Sequence, residues 1–234
     1  VLFVAALVLS TVAVANGSVL IEPSDLAEEI SNGAVIIDLR ENGAEKEISI
    51  LPGSVTSPFS GWRGPSDNPG LVLSESRASK LFGDLGIRPG DRIILATAGG
   101  SNSMFGAAAR AFWDLKSFGF GDVGILHGGV AAYQAAALPF ADSYLSRQPK
   151  VLSLSFDTSF YAPKTDLLEV VEANQSAQLL DARPSAWHEG KKWHPASLTP
   201  GTLEFSKILD YSQFFVTQDS SRLKAMGEIE ALLD

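Results

Sequence analysis

The sequence contains no cysteine among its 234 residues. Disulfide bonds, zinc–thiolate sites and thiol or persulfide catalysis are therefore excluded for these residues. Histidine is scarce as well, because the chain has only His127, His188 and His194. None of them forms an i, i+4 pair on a helix, and Pro195 follows the last one. We therefore expect no metal site and no cofactor, and we expect surface or capping roles for the three histidines.

Basic residues are outnumbered, with 18 Lys and Arg against 27 Asp and Glu, which gives a net charge of −9. An acidic chain without a clustered basic stripe repels phosphate backbones, so we expect no nucleic-acid partner. Hydrophobic residues make up 45% of the chain and charged residues 19%. These values are typical of a globular protein and exclude a disordered or collagen-like chain.

The first residues have the composition of a targeting segment. Residues 1–15 are almost wholly apolar and end in Ala13-Val14-Ala15, the small-x-small pattern of a signal-peptidase site. Asn16-Gly17-Ser18 interrupts the apolar run before it reaches the roughly 20 residues that a membrane-spanning helix needs. We therefore predict a signal peptide over residues 1–17, whose basic start is missing, and export to the periplasm or the exterior. We expect no stable membrane span after cleavage; a short membrane anchor is the alternative.

An internal repeat organises the rest of the chain. An apolar run that ends in Asp-x-Arg occurs at residues 35–40 and again at 178–183, an offset of 143 positions. The turn Leu-Pro-Gly-Ser at residues 51–54 recurs at the same offset as His-Pro-Ala-Ser at residues 194–197. Such a constant offset indicates a duplicated domain.

Short apolar runs alternate with helical patterns in the first copy. The expected strands are residues 35–37, 93–95 and 123–126, and the expected helices are residues 24–32, 74–85 and 104–118. Strands that alternate with helices predict an α/β fold in which helices cover both faces of a mostly parallel sheet.

The second copy is shorter than the first. Residues 221–233 resemble the helix expected at 74–85, so the loop equivalent to the one that begins at Ala98 falls at about position 246. We therefore expect a first domain at 18–140, a linker at 141–163 and a partial second domain at 164–234, and we expect the chain to be a fragment.

The loop after the strand at 93–95 is the candidate site of the first copy. Ligands of open parallel sheets bind where a strand leads into a helix N-terminus, because unpaired amides there favour an anion. A flexible turn with a helix cap is the alternative, since Gly and Ser are common in loops. The loop follows Thr97 and comprises Ala98, Gly99, Gly100, Ser101, Asn102 and Ser103.

Three other motifs fail in this loop. A P-loop requires a Lys-Ser/Thr pair directly after its second glycine, but no such pair follows Gly106. A nucleophile elbow requires Gly two residues after its serine, but Ser103 stands there after Ser101. His127-Gly128-Gly129 is similar to an esterase oxyanion segment, but it follows the serine when it should precede it. A serine hydrolase that uses Ser101 and His127 remains a third hypothesis for function.

Several motifs resemble those of tandem rhodaneses. The runs that end in Asp38-Leu39-Arg40 and Asp181-Ala182-Arg183, each followed by a Pro-containing turn, resemble the opening of each rhodanese domain. Residues 110–129, which end in Leu-His-Gly-Gly, resemble the family's helix, glycine turn and strand before Gly-Gly. The resemblance implies two tandem rhodanese-like domains, each with a mostly parallel sheet flanked by helices, of which the second is incomplete here.

The resemblance also implies an activity. A tandem rhodanese passes sulfane sulfur from a small sulfur-containing anion, such as thiosulfate or mercaptopyruvate, to a thiophilic or thiol acceptor. It does so through a cysteine on the strand-to-helix loop of its second domain, where backbone amides stabilise a thiolate. In the first-domain loop Ala98 stands near that position, so the resemblance implies a non-catalytic first domain. We expect no catalytic residue in this chain, no transfer activity from it alone, and a cysteine just beyond its end.

Several positions depart from the family pattern. His127 replaces the usual Asp or Asn before Gly-Gly, and Leu51 replaces the usual His of the first turn, which His194 retains in the second. Trp187 lies four residues past Arg183, where some members have a substrate-binding Arg. For Arg40 and Arg183, a buried Asp–Arg pair or an Arg–backbone pair that holds the turn is expected over a substrate contact. A non-catalytic binding or scaffold protein is therefore the alternative function.

Overall fold

A computed structural model describes residues 17–41, 49–172, 177–195, 197–217 and 219–233. The predicted signal peptide at residues 1–17 lies almost entirely outside the described residues. Gly17, its last residue, is described, and its backbone N–H lies 3.3 Å from Asp122 Oδ1. Within the described ranges, no helix combines the length and the apolar character needed to cross a bilayer.

The first lobe, residues 17–163, contains a five-stranded sheet in the order β1-β5-β4-β2-β3, in which every neighbouring pair is parallel. Its elements, in chain order, are β1 (Leu20–Ile21), α1 (Leu26–Ser31), β2 (Val35–Asp38), β3 (Ser54–Thr56), α2 (Glu75–Asp84), β4 (Ile93–Ala96), α3 (Asn102–Ser117), β5 (Val123–Leu126) and α4 (Gly129–Ala135). Short 3-10 turns cover Pro23–Asp25 and Phe59–Trp62.

Alternate residues of the central strands point to opposite faces, as the period of a strand requires. Val35, Ile37, Ile93 and Leu95 belong to one buried cluster, which includes side chains of α2 and α3. Ile36, Ile94 and Ala96 belong to a second cluster with side chains of α1 and α4. The apolar runs that predicted these strands are thus explained by burial on both faces.

The three expected strands of the first copy are confirmed, and its expected helices match observed helices to within two residues at most ends. Ser74 and Ser101 cap α2 and α3, since their side chains accept hydrogen bonds from the N–H groups of Arg77 and Met104.

The linker expected at residues 141–163 has little regular structure, but it is bound to the first lobe. The amide of Lys150 donates to Gly83 O at 2.8 Å, and the amide of Asp157 donates to Ser117 O at 2.8 Å. Leu152, Leu154 and Phe156 pack against the first buried cluster. We call residues 141–157 the linking segment.

The second lobe, residues 164–233, has little buried core. Its elements are α5 (Lys164–Glu172), β6 (Leu180–Asp181), α6 (Ser185–His188), β7 (Lys207–Ile208), a 3-10 turn (Tyr211–Phe214) and α7 (Met226–Leu233). Strands β6 and β7 form a two-stranded parallel sheet. Among the described residues of this lobe, Asp210, Phe215 and Ser221 are the buried side chains.

The helix expected at residues 221–233 begins only at Met226. Residues 220–224, which we call the docking segment, are not helical, because the amides of Leu223 and Lys224 bond partners outside the segment. The amide of Lys224 donates to Phe214 O at 2.9 Å, and Leu223 forms an antiparallel bridge with Phe215. The expected start of this helix was therefore wrong by five residues.

Candidate functional site

The candidate loop, residues 97–103, connects the end of β4 to the start of α3. Gly99 and Gly100 have φ values of 81° and 77°, which glycine adopts without strain. Ser101 Oγ lies 2.9 Å from Ser103 Oγ and caps α3. Ala98 presents a methyl group, so the position where the family resemblance places a sulfur acceptor has no nucleophilic atom.

The loop packs backbone against backbone on the turn that follows β5. A Cβ atom at Gly129, whose φ is 65°, would lie 2.6 Å from Thr97 O and 2.7 Å from Gly99 N. The amides of Val130 and Ala131 donate to Thr97 O and Ala98 O, each at 2.9 Å. Gly129 is therefore required for the close approach of these two turns.

The docking segment of the second lobe lies on this loop. The backbone N–H of Gly100 donates to Ser221 Oγ at 3.1 Å, and Ser221 is buried. Beside this contact, the rings of Phe105 and Phe215 meet edge to face with their centroids 5.4 Å apart. The Gly100 amide, which the sequence predicted to be available to an anion, thus donates its hydrogen bond to the Ser221 hydroxyl of the same chain.

His127 makes the central contact between the docking segment and the first lobe. Its Nε2 lies 2.9 Å from the backbone N of Leu223, and its Nδ1 lies 2.6 Å from Glu22 Oε1. An amide N–H only donates, so Nε2 is the unprotonated acceptor and Nδ1 carries the proton that bonds Glu22. The surface or capping role expected for this histidine is wrong, because His127 is buried and bonded at both ring nitrogens.

Glu22 and Arg222 form an ion pair beside His127. Arg222 Nη2 lies 3.1 and 2.8 Å from the two carboxylate oxygens of Glu22, and its Nη1 lies 3.4 Å from His127 O. Burial alone would raise the pKa of Glu22, but hydrogen bonds and charge from His127 and Arg222 outweigh it and lower that pKa.

No local sequence pattern indicates this ion pair, because 200 positions separate Glu22 from Arg222. The one available signal was the histidine at position 127, which departs from the resembled motif just before Gly-Gly.

The geometry also removes the serine hydrolase hypothesis. A general base must accept the proton of Ser101 through a free ring nitrogen. Both nitrogens of His127 are engaged, one by Glu22 and the other by Leu223.

The first Asp-x-Arg motif is a buried ion pair at the carboxyl end of β2. Asp38 is fully buried, and Arg40 contacts both of its carboxylate oxygens at 2.7–3.2 Å. Arg40 Nη1 also donates to Ser49 Oγ at 2.7 Å, and Tyr144 Oη donates to Asp38 Oδ2 at 2.8 Å. Burial and the neighbouring carboxylate of Asp38 raise the pKa of Tyr144. This network fastens the start of the linking segment to the sheet.

The second motif repeats the pair in an open setting. Arg183 Nη2 lies 2.6 Å from Asp181 Oδ2, which also accepts a hydrogen bond from Thr202 Oγ1 at 2.9 Å. His188 Nδ1 lies 3.2 Å from the same oxygen. The hydrogen bond from Arg183 is the main cause that lowers the pKa of Asp181.

Four of the predicted site residues line one cavity of the second lobe, which has a volume of about 820 Å³; they are Asp181, Arg183, Trp187 and His194. Asp38, Arg40 and residues 98–103 belong to the first lobe. Among the described residues, no group of three or more His, Asp or Glu is arranged to bind a metal ion.

The comparisons with known proteins agree with this architecture. A family model described as a rhodanese-like domain matches residues 22–136. The 3-mercaptopyruvate sulfurtransferase of Escherichia coli (strain K12) is 31% identical over 103 residues, which are 44% of this chain and 35% of that protein. The chain spans well under half the length of the curated relatives that it matches.

Solved structures show the same fold. SseA from Escherichia coli, described as having the "Rhodanese" fold of 3-mercaptopyruvate sulfotransferases, matches with a TM-score of 0.74 at 22% identity, over 92% of this chain and 82% of that one. The 3-mercaptopyruvate sulfurtransferase of Leishmania major matches with a TM-score of 0.70 at 18% identity, over 92% and 61% of the two chains. The predicted α/β class, with helices on both faces of a parallel sheet, is confirmed.

Proposed function

Because residues 22–136 form a rhodanese-like domain with sulfurtransferase homologues, we propose that this chain is part of a sulfurtransferase whose sulfur-carrying cysteine lies outside these 234 residues. The proposed reaction moves sulfane sulfur from a small anion, thiosulfate or 3-mercaptopyruvate, to a thiol or another thiophilic acceptor. The proposed carrier position is the strand-to-helix loop of the second repeat, near position 246 when residues 221–233 are matched to residues 74–85.

The observation that carries this proposal is that the equivalent loop of the first lobe has the position for a nucleophile but no nucleophilic side chain. It lies at the carboxyl end of β4 and leads into α3, where amides favour an anionic nucleophile. Ala98 supplies no nucleophile there, and Ser221 occupies the amide of Gly100. The first lobe therefore acts as a scaffold that positions the second.

Cyanide-dependent thiocyanate formation tests the proposal. The longer protein with a complete second repeat should form thiocyanate from thiosulfate or 3-mercaptopyruvate, and replacement of the loop cysteine by serine should abolish it. The 234-residue chain should form none under the same conditions. Thiocyanate formation by this chain alone would refute the assignment of chemistry to the second repeat.

A non-catalytic binding or scaffold protein is the second candidate. The cavity of the second lobe favours it, since Trp187 and Trp193 give it an apolar lining beside Arg183. The residue that occupies the second strand-to-helix loop separates the two candidates. A cysteine there supports transfer, and any residue without a nucleophile supports the scaffold.

We also propose that the protein is exported to the periplasm or secreted, on the basis of the apolar run at residues 1–15. N-terminal sequencing of the mature protein should find a first residue between Asn16 and Ser18, with the apolar run removed. A mature protein that retains residues 1–15 would contradict the proposal.

A further inference from the structure

The docking segment meets the first lobe at two titratable side chains, His127 and Glu22. Its hydrogen bond from the Leu223 amide ends on Nε2 of His127, and its Arg222 side chain shares the carboxylate of Glu22 with Nδ1 of the same ring. The other contacts, from Gly100 to Ser221 and from Phe105 to Phe215, involve no titratable group. Proton uptake by one imidazole therefore acts directly on the attachment of the segment.

We propose that His127 is a proton-sensitive contact between the two lobes, which holds the docking segment when its ring is neutral and releases it when the ring is protonated. A proton on Nε2 would place an N–H donor 2.9 Å from the N–H donor of Leu223, so this hydrogen bond cannot persist. The proposal goes beyond sulfur transfer and does not depend on it.

The charged neighbours of His127 determine the sign of the effect. Glu22 belongs to the first lobe, so it stabilises an imidazolium whether or not the docking segment is bound. Arg222 belongs to the docking segment and brings a positive charge to the same carboxylate. The candidate loop, residues 97–103, and α4 contribute no ionisable carboxylate, Lys, Arg or His side chain.

Both contacts that the docking segment adds, the Leu223 amide and the Arg222 charge, disfavour protonated His127. Release of the segment therefore takes up a proton, so docking is favoured at high pH and weakens as the pH falls. Histidine is the side-chain type that changes charge between about pH 5 and pH 8, so pH 8 and pH 5.5 are the conditions to compare.

Hydrogen exchange of the 234-residue chain measures the attachment directly. With rates corrected for the intrinsic pH dependence of amide exchange, we expect the peptide that contains Leu223 to lose protection about tenfold between pH 8 and pH 5.5. Unchanged protection in the wild-type chain would overturn the proposal.

His127→Gln should keep the two hydrogen bonds but cannot take up a proton. The glutamine carbonyl oxygen can accept from the Leu223 amide, and its NH2 group can donate to Glu22. This variant should stay protected at both pH values. A variant that lacks both other histidines, His188→Gln with His194→Gln, should keep the full wild-type response. The proposal fails if His127→Gln responds to pH as the wild type does, or if the double variant does not respond.

A spectroscopic measurement covers the case in which His127→Gln does not fold. In the ¹⁵N spectrum of the wild-type chain, the Leu223 amide and the His127 ring nitrogens should titrate together, and Nδ1 should carry the proton at pH 8. Independent titration of the two signals, or a proton on Nε2 at pH 8, would overturn the proposal.

Discussion

The same Asp-x-Arg motif has different environments in the two lobes. Asp38 is fully buried and the Arg40 side chain is 9% exposed, whereas the Arg183 side chain that pairs with Asp181 is 44% exposed. Water reaches the Arg183 guanidinium of the second pair and is excluded from the first pair. The same motif should therefore contribute differently to the free energy of unfolding in the two lobes.

We predict that Asp38→Ala lowers the free energy of unfolding by about 3–5 kcal/mol, because it removes a fully buried carboxylate to which both Arg40 and Tyr144 donate hydrogen bonds. Asp181→Ala is the matched change in the second lobe, where the Asp181 side chain is 9% exposed but the Arg183 side chain is 44% exposed, so it should cost less than Asp38→Ala. Urea unfolding followed by far-ultraviolet circular dichroism compares the two. Equal losses of unfolding free energy in the two variants would show that burial does not determine how much this ion pair contributes to stability.

Asp114 should make stability fall as the pH rises. Burial raises the pKa of Asp114 to about 6, and the nearby Arg110 offsets only part of that effect. The folded state then binds a proton that the unfolded state has already lost, so this contribution to stability is present below about pH 4 and is lost as the pH rises through 6.

Replacing the carboxyl group tests this sign. Asn cannot titrate, so the unfolding free energy of Asp114→Asn minus that of the wild type should rise by up to about 2 kcal/mol between pH 4.5 and pH 7.5. Urea unfolding of both proteins at the two pH values gives the difference. A constant difference would mean that Asp114 titrates alike in the folded and unfolded states.

The sequence predicted the strands and helices whose own residues form a recognisable apolar pattern. Strands β2, β4 and β5 are apolar runs buried on both faces, and the expected starts of α2 and α3, residues 74 and 104, lie within two residues of the observed ones. Edge strands β1 and β3 have only two and three residues, too few for a periodic pattern.

The linking segment and the docking segment lay beyond sequence reasoning for another reason. Their order comes from main-chain hydrogen bonds to partners far along the chain, such as Lys150 to Gly83 and Leu223 to His127. Every residue type except proline has the same backbone N–H group, so these hydrogen bonds are not visible in the side-chain composition.

The linking segment depends on a glycine of α2. A Cβ atom at Gly83 would collide with the carbonyl oxygen of Lys150. Gly83→Ala should therefore destabilise the protein and speed proteolysis after Lys150, although alanine normally stabilises a helix by about 0.5–1 kcal/mol.

Gly106 in α3 provides the control, because it is exposed and a Cβ there would meet no atom within 4 Å. Gly106→Ala should raise the free energy of unfolding by about 0.5–1 kcal/mol. Thermal unfolding and timed trypsin digestion of both variants make the comparison. Stabilisation by Gly83→Ala would show that the linking segment does not need close contact with α2.

At the scale of the whole molecule, the core is concentrated in the first lobe. Of the buried hydrophobic side chains of the described residues, Phe215 is the one that comes from the second lobe. Leu180, Trp193, Phe205 and Ile208 are all at least 40% exposed. Local stability follows burial, so the two lobes should open with different free energies.

We predict that amides of β2, β4 and β5 exchange at least about 100-fold more slowly than amides of β6 and β7 after correction for intrinsic rates. Hydrogen exchange read by mass spectrometry resolves the two sheets. Equal protection would mean that the lobes unfold as one cooperative unit, held together by the contacts around His127.

The position of β1 in the sheet has a consequence for biosynthesis. Leu20 and Ile21 pair with Ile125 and Leu126, so the first strand to leave the ribosome bonds to the last strand of its sheet. At translation speeds of about 5–20 residues per second, the roughly one hundred intervening residues take about 5–20 s to appear. For that interval the nascent chain displays an unfinished apolar layer, which a holdase chaperone would recognise before the sheet closes.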